Sequence, residues 1–364
     1  MDALVADANL RNAVAGIRGL GCAGVRAFAH APARLGAGRW SRFAAGRETG
    51  DLAEVAARRG PIVVYPGREA TIDALLAVRP RLGGGVVLPY PDPDAVRALR
   101  DKRGLAELAS GCGLPTPATL FEGPAAELAT AGIELPAIVK PSAAVSALPT
   151  ARAVASRREL AALAAELPAT ERVLAQEHIA GRLLSLALVL DREGRGAGRF
   201  QEEVLRTWPR DAGSFAATVS APVDRELEER AVALLRGTGY WGLAQLDLVR
   251  RDRETLVLDL NPRFYACMPL ALRCGVNLPA TWHAVVEGRA PGPPAAYPAG
   301  RRFRWLEGDL YAARHGHPMT LLRGGRAQAG AMWAGDDPLA SLLLAGGAAT
   351  LPIRRRAGAV RGAS

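Results

Sequence analysis

Residues 240–264, YWGLAQLDLVRRDRETLVLDLNPRF, decide the fold. Two apolar runs with period-two alternation, LAQLDLV and TLVLDLN, flank a polar RDRE, which is the pattern of a β-hairpin. A turn centred near Arg253 sets Asp247 opposite Asp259. Side chains alternate across a strand, so Gln245, Asp247, Asp259 and Asn261 share one face, and Leu246, Leu248, Leu258 and Leu260 share the other. Two facing carboxylates repel each other unless positive charge lies between them. Oxygen ligands beside an amide suit Mg²⁺ (or Mn²⁺), with substrate phosphates completing the shell. Arg263 lies two residues beyond Asn261, on the same side if the strand persists past Pro262. There it would grip a phosphate as a bidentate fork. A hairpin that turns acidic residues to solvent has the same pattern, so the metal reading draws on the rest of the chain.

A chain of 364 residues is long enough for two or three packed units. Its 49% hydrophobic and 23% charged residues are those of a soluble globular protein. The start lacks the pattern of a secretory signal and no apolar run would span a bilayer, so the expectation is a cytoplasmic protein with no membrane partner. Cys22, Cys112, Cys267 and Cys274 show neither CxxC pairing nor histidines at ligand spacing, and read as buried or incidental thiols. The net charge of +10 attracts anions, but the arginines are scattered and aromatics make up only 5%, so no nucleic-acid partner is expected.

Lysine usage is more informative. Lys and Arg together number 46, yet the only lysines are Lys102 and Lys140. A sequence that uses Arg elsewhere keeps Lys where a compact point charge must reach one phosphate oxygen in a confined site.

The first 90 residues alternate strand and helix. Ala3–Ala6, Val25–Ala29, PIVVYPG and VVLPY read as strands. Asn9–Leu20 (capped by Asn9 and stopped by Gly21), Asp51–Arg58 and Glu69–Val78 read as helices. Such alternation predicts an α/β architecture with a parallel, Rossmann-like sheet, although no GxGxxG is present. The loop Ala8–Arg11 falls at the carboxyl edge, where ligands commonly bind. Pro91-Asp92-Pro93 marks a boundary. A helix pair with Lys102 between its halves follows, then a strand Ala137–Lys140 and the small-residue loop PSAAVSALP, whose backbone and serines suit phosphate. RVLAQEHIAG is a strand entering a loop. GRLLSLALVLD, GRFQEEVLRT and SFAATVSAP form a second sheet, and a helix over Arg225–Arg236 leads into the hairpin.

In this order, from about Pro93 to Glu287, the chain resembles the ATP-grasp superfamily, the fold of carbamoyl-phosphate synthases and D-Ala-D-Ala ligases. The resemblance is carried by a DK helix, a GxPxP turn (Gly113, Pro115, Pro117), an IVKP strand, a QExIxG hinge (Gln176–Gly181), and LDLV with LDLNPR. It implies a pre-ATP-grasp domain over 1–92, ATP-grasp subdomains over 93–178 and 179–290, and a C-terminal appendage over 291–364 with a disordered end. Position by position it implies ATP phosphates on Lys102 and Lys140, with Lys140 also near the adenine. Ser142 and Ser146 would cover the phosphates. Gln176, Glu177, His178 and Ile179 would form the adenine hinge, Asp247, Asp259 and Asn261 would hold Mg²⁺, and Arg263 would steady the transferred phosphoryl group. Two departures stand out. The loop after Lys140 has no glycine, and GRLLSLAL lacks the family's ribose-binding Glu, with Leu184 or Ser185 in its place.

The implied activity is an ADP-forming carboxylate–amine ligase acting through an acyl phosphate on small-molecule substrates. Alternatives are a carboxylate kinase or carboxylase of the same fold, or a nucleotide-binding partner protein without turnover. In RTWPRDAGSF, Arg206 and Arg210 would clamp the acid's carboxylate, and a basic loop in solvent is the alternative. A homodimer is compatible with the family.

Overall fold

The computed structural model describes residues 1–32, 36–142, 146–148, 150–210, 212–323 and 326–346. The chain divides into two compact units, one formed by Met1–Pro89, Arg263–Glu287 and Phe303–Ser364, the other by Tyr90–Pro262 and Gly288–Arg302.

The first unit opens with β1 (Asp2–Val5), α1 (Arg11–Cys22), β2 (Ala27–His30), β3 (Ala44–Glu48), α2 (Leu52–Arg59), β4 (Ile62–Tyr65), α3 (Glu69–Val78) and β5 (Val86–Val87). The strands run parallel in the order β3-β2-β1-β4-β5, the expected Rossmann-like sheet. Helix α1 begins later than its sequence suggests. Leu10, not Asn9, occupies the cap position, and the helix continues through Gly21, where a Cβ would lie 2.4 Å from the Phe43 carbonyl oxygen. Gly21 is therefore a packing glycine rather than a stop. Strand β3 carries no fully buried residue and sits at the sheet edge, which is why its sequence gives no apolar signal.

The second unit contains α4 (Pro93–Arg100), α5 (Lys102–Gly111), β6 (Thr119–Pro124), α6 (Ala125–Leu128), β7 (Ala137–Pro141), β8 (Arg152–Val154), α7 (Arg157–Glu166) and β9 (Arg172–Glu177). Strands β6-β9-β7-β8 form an antiparallel sheet, and Leu128, Val139, Leu160 and Val173 belong to its buried core. Next come β10 (Arg182–Leu190), β11 (Gly196–Trp208), β12 (Ser214–Ala221), α8 (Arg225–Gly237), β13 (Gly242–Arg251) and β14 (Glu254–Asn261), with strand order β14-β13-β10-β11-β12. Asp224 caps α8 by accepting from the Leu227 amide, and pairs with Arg250 at 2.6 Å.

The chain then completes the first unit with α9 (Met268–Arg273), α10 (Leu278–Val286), β15 (Arg302–Arg304), α11 (Leu306–Arg314), α12 (Met319–Arg323) and β16 (Ala329–Gly330). Tyr65, Phe264 and Trp282 pack with ring centroids 4.9–5.5 Å apart, which ties the returning segment to β4. Near the C-terminal end, Asp337 is buried and accepts from Arg18 Nε at 2.8 Å and Ser41 Oγ at 2.7 Å. Among the described residues, no helix is long and apolar enough to cross a membrane.

Candidate active site

The hairpin sets the site. Its turn is Asp252–Arg253, with Asp252 in the left-handed region at φ 52°, which Asp tolerates. Pairing then runs Arg251↔Glu254, Arg250↔Thr255, Val249↔Leu256 and Leu248↔Val257, a register that would miss the two aspartates by one residue. A β-bulge at Leu258 inserts the missing residue, and beyond it Asp247 faces Asp259 and Gln245 faces Asn261. The bulge also corrects one expectation. Leu258 does not share a face with Leu246 and Leu248; it packs with Val249, Leu256, Ile179 and Leu183, on the side of the aspartates.

Beyond Asp247 the register continues across the sheet. Asp247 pairs with Ser185, Ser185 with Glu202, and Glu202 with Ser220, so one row of side chains reads Asp259–Asp247–Ser185–Glu202–Ser220. Amide groups organise its acidic end. Gln245 Nε2 donates to Asp247 Oδ1 (2.6 Å) and Ser185 Oγ (2.8 Å), while Asn261 Nδ2 donates to Gln245 Oε1 (3.0 Å) and Asp247 Oδ2 (3.4 Å). Asn261 thereby commits its nitrogen, which makes its Oδ1 the atom with metal-ligand chemistry. Asp247 is half-buried and Asp259 exposed. Two carboxylates and an amide oxygen fit Mg²⁺, a hard cation that leaves several positions to water and phosphate. Among the described residues no three His, Cys, Asp or Glu side chains cluster closely enough for a metal, so the donor set stops at two acids.

Sequence reasoning missed Glu202. It is 1% exposed, and burial pushes its carboxyl up to about 8, opposed by a hydrogen bond from the Thr218 hydroxyl and reinforced by the charge of Asp247. The available signal was the adjacent acids Glu202 and Glu203 in the strand GAGRFQEEVLRTW; only the register shows that Glu202, not Glu203, shares the row of Asp247.

Lys140, near the end of β7, reaches the hairpin, where its Nζ donates to the Leu258 carbonyl at 2.9 Å. Lys102 is the first residue of α5 rather than a residue between helices, and its side chain lies outside the described residues. Ser142 follows β7 with its hydroxyl buried and without a hydrogen-bond partner among the described residues. Ser146 donates to Glu171 at 2.5 Å and caps the Leu148 amide, so its hydroxyl organises the loop itself. Loop residues 143–145 and 149 lie outside the described residues.

Gln176 and Glu177 end β9. Gln176 is buried with its side chain on the Pro117 carbonyl, and Glu177 is partly exposed, 3.6 Å from Arg251. His178 is half-buried, and Ile179 packs beside Leu258. At Gly181 a Cβ would lie 2.5 Å from the Arg250 carbonyl oxygen, which fixes the hinge glycine by backbone approach. Arg206 is half-buried near the end of β11 between two register shifts, and Arg210 is exposed. Strand β14 ends at Asn261, so alternation does not extend to Arg263. That residue belongs to the first unit, where its Nε pairs with Glu69 at 2.7 Å and its Nη1 donates to the Phe264 carbonyl.

A family model described as an ATP-grasp domain matches residues 99–267. Among solved structures, the chain is similar to N5-carboxyaminoimidazole synthetase from Staphylococcus aureus (13% identity, 87% of this chain and 85% of that one, TM-score 0.64). It is also similar to N5-carboxyaminoimidazole ribonucleotide synthetase from Thermus thermophilus (17%, 83% and 81%, 0.60). A third is the biotin carboxylase domain dimer of 2-oxoglutarate carboxylase from Hydrogenobacter thermophilus, in complex with MgADP, ADP and bicarbonate (16%, 83% and 73%, 0.61). No curated protein sequence matches.

Proposed function

Starting from a chain that carries an ATP-grasp domain over residues 99–267, we propose that it is an ADP-forming carboxylate–amine ligase. The observation that carries this reading is the facing pair Asp247 and Asp259 with Asn261 beside them, and with Lys140 on the bulge next to Asp259. When bound, Mg²⁺ and ATP supply an electrophilic γ-phosphoryl group with its charge partly neutralised. The chain's residues then position and neutralise. Asp247, Asp259 and Asn261 hold the metal. Lys140 and Lys102 meet phosphate oxygens, with Ser142 and Ser146 in the loop above them. The hinge Gln176–Ile179, beside Leu258 and Leu183, would take the adenine. Arg263 keeps the phosphoryl-steadying role that the ATP-grasp resemblance implies, and Arg206 and Arg210 take the acid's carboxylate. Attack of that carboxylate at the γ-phosphorus would break the bond to the β-phosphate oxygen, giving an acyl phosphate and ADP; an amine then attacks the acyl carbon, expelling orthophosphate and losing a proton.

We keep the four-part division of the chain (1–92, 93–178, 179–290, 291–364) as the working organisation. The four-stranded sheet and the sheet carrying the hairpin stand for its two middle parts. A carboxylase is the second reading, favoured because a similar structure is a biotin carboxylase domain that holds bicarbonate. That domain is a dimer, which supports a homodimer here.

The test is purified protein with ATP, Mg²⁺ and pools of acids and amines. ADP and orthophosphate should appear when both an acid and an amine are present. AMP and pyrophosphate would overturn the γ-phosphoryl assignment, and turnover driven by bicarbonate alone would favour the carboxylase.

A further inference from the structure

Glu202 is a buried acid that the ATP and metal assignments leave without work. Its side chain is 1% exposed, and one carboxyl oxygen, Oε2, accepts from the buried Thr218 hydroxyl. The other, Oε1, is buried with no hydrogen-bond partner among the described residues. Buried polar atoms in native proteins are rarely left so, because desolvation is then uncompensated. The register aims this side chain at the face that carries Asp247, one strand away across Ser185.

The neighbours do not offer the missing donor. Thr218 directs its hydroxyl at Oε2, Ser220 directs its own at the Pro298 carbonyl, and the Ser185 hydroxyl, next in the row, makes no hydrogen bond to Oε1; Gln245 directs Nε2 at Ser185 and Asp247, and Asp247 is itself an acceptor. A donor brought by a ligand would complete Oε1. The metal of the aspartate pair is not that group, since Glu202 does not join Asp247 and Asp259 in a three-acid cluster. An anionic ligand is disfavoured, because the charge of Asp247 is felt at Glu202. An amine satisfies every condition. As an ammonium it donates N–H to a carboxylate and is attracted by Asp247; as a neutral amine it accepts from the protonated acid. The hydrogen bond forms wherever the shared proton lies.

We propose that Glu202 is the seat of the acceptor amine, its Oε1 binding the nitrogen that attacks the activated acid. This rests on the ligase reading and makes Glu202 a specificity-determining residue for a substrate bearing a primary amine.

The experiment compares the parent with Glu202→Gln and Glu202→Asp. With MgATP, pooled standard amino acids as acids and hydroxylamine as the amine probe, KM for hydroxylamine should rise about tenfold in both variants. MgATP affinity by calorimetry should stay within about twofold. The melting temperature of the Gln variant should equal or exceed the parent's, which a purely structural role for Glu202 would not allow. Independently of turnover, methylammonium chloride titrated into the parent should give saturable binding that both variants lose. An unchanged KM would overturn the proposal, Oε1 then serving a buried water. Loss of MgATP affinity in both variants would overturn it in favour of the metal site. Absence of saturable methylammonium binding overturns it whether or not hydroxamate forms. Methylammonium binding without any hydroxamate instead overturns the ligase reading and leaves the amine seat standing.

Discussion

Lys140 Nζ lies 2.9 Å from the carbonyl oxygen of Leu258, the residue that bulges out of the hairpin immediately before Asp259. One irregularity therefore does two things. It shifts the pairing by one residue so that the aspartates face each other, and it presents a carbonyl that holds the lysine of the opposite sheet beside them. Without the bulge, Asp247 would face Leu258 and the acidic pair would be out of register.

Replacing Lys140 by Arg should be nearly as damaging as replacing it by Ala. Its ammonium meets the Leu258 carbonyl from a half-buried stem, and a planar guanidinium does not place the same point charge there. Calorimetric titration of MgATP should show both variants weakened by about 1.5–3 kcal/mol, the range of charge-assisted hydrogen bonds. An Arg variant that binds like the parent would reduce the scarcity of lysine to an accident of composition.

Asp259→Asn removes charge at nearly constant volume from an exposed position. It should lower ATP turnover at least about a hundredfold while leaving the melting temperature unchanged, because metal-supplied charge stabilisation is lost and little packing changes. Near-normal ADP release from this variant would remove the metal from this hairpin.

The hairpin was legible because strand alternation is a local property: LAQLDLV and TLVLDLN declare their faces in sequence. The bulge was not, since Leu258 is as apolar as its neighbours and only pairing geometry shows that it changes sides. Glu202 was hidden for a related reason. It stands beside Glu203, and which of the two shares the row of Asp247 depends on register with a strand far away in sequence. The parallel sheet of the first unit could be read from its buried strands, such as β4, all of whose residues are buried. Edge strand β3, made of half-exposed Ala, Gly and Arg with an acidic end, left no periodic trace.

The C-terminal segment offers a stability test. Asp337 is 1% exposed and accepts from Arg18 Nε, Ser41 Oγ and the Arg42 amide, with Arg18 itself buried. Asp337→Ala strands a buried guanidinium, which should cost about 3–5 kcal/mol in denaturant unfolding. A loss under about 1 kcal/mol would mean that water reaches Arg18 in the variant and replaces the ion pair.

The last prediction concerns pH. The Glu202 carboxyl is raised to about 8 in the fold, chiefly by burial, from an ordinary value of 4.5. The folded state therefore holds a proton that the unfolded chain releases at lower pH. Stability falls wherever the folded state binds more protons than the unfolded one, so this group's contribution is fully present below about pH 4.5 and is lost as pH rises toward 8. Glu202→Gln has no proton to lose and keeps the side-chain volume. The melting temperature of the variant minus that of the parent should consequently be small near pH 4.5, grow through neutrality, and level off above about 8. The contributions of acids remote from Glu202 are common to both proteins and cancel in the difference. MgATP should narrow this window slightly, because a cation on the proposed Asp247–Asp259 pair would offset the charge that helps raise Glu202, and methylammonium should narrow it by pairing with the ionised form. A difference that is flat with pH would mean that Glu202 is ionised in the fold throughout, with a cation or donor already on Oε1.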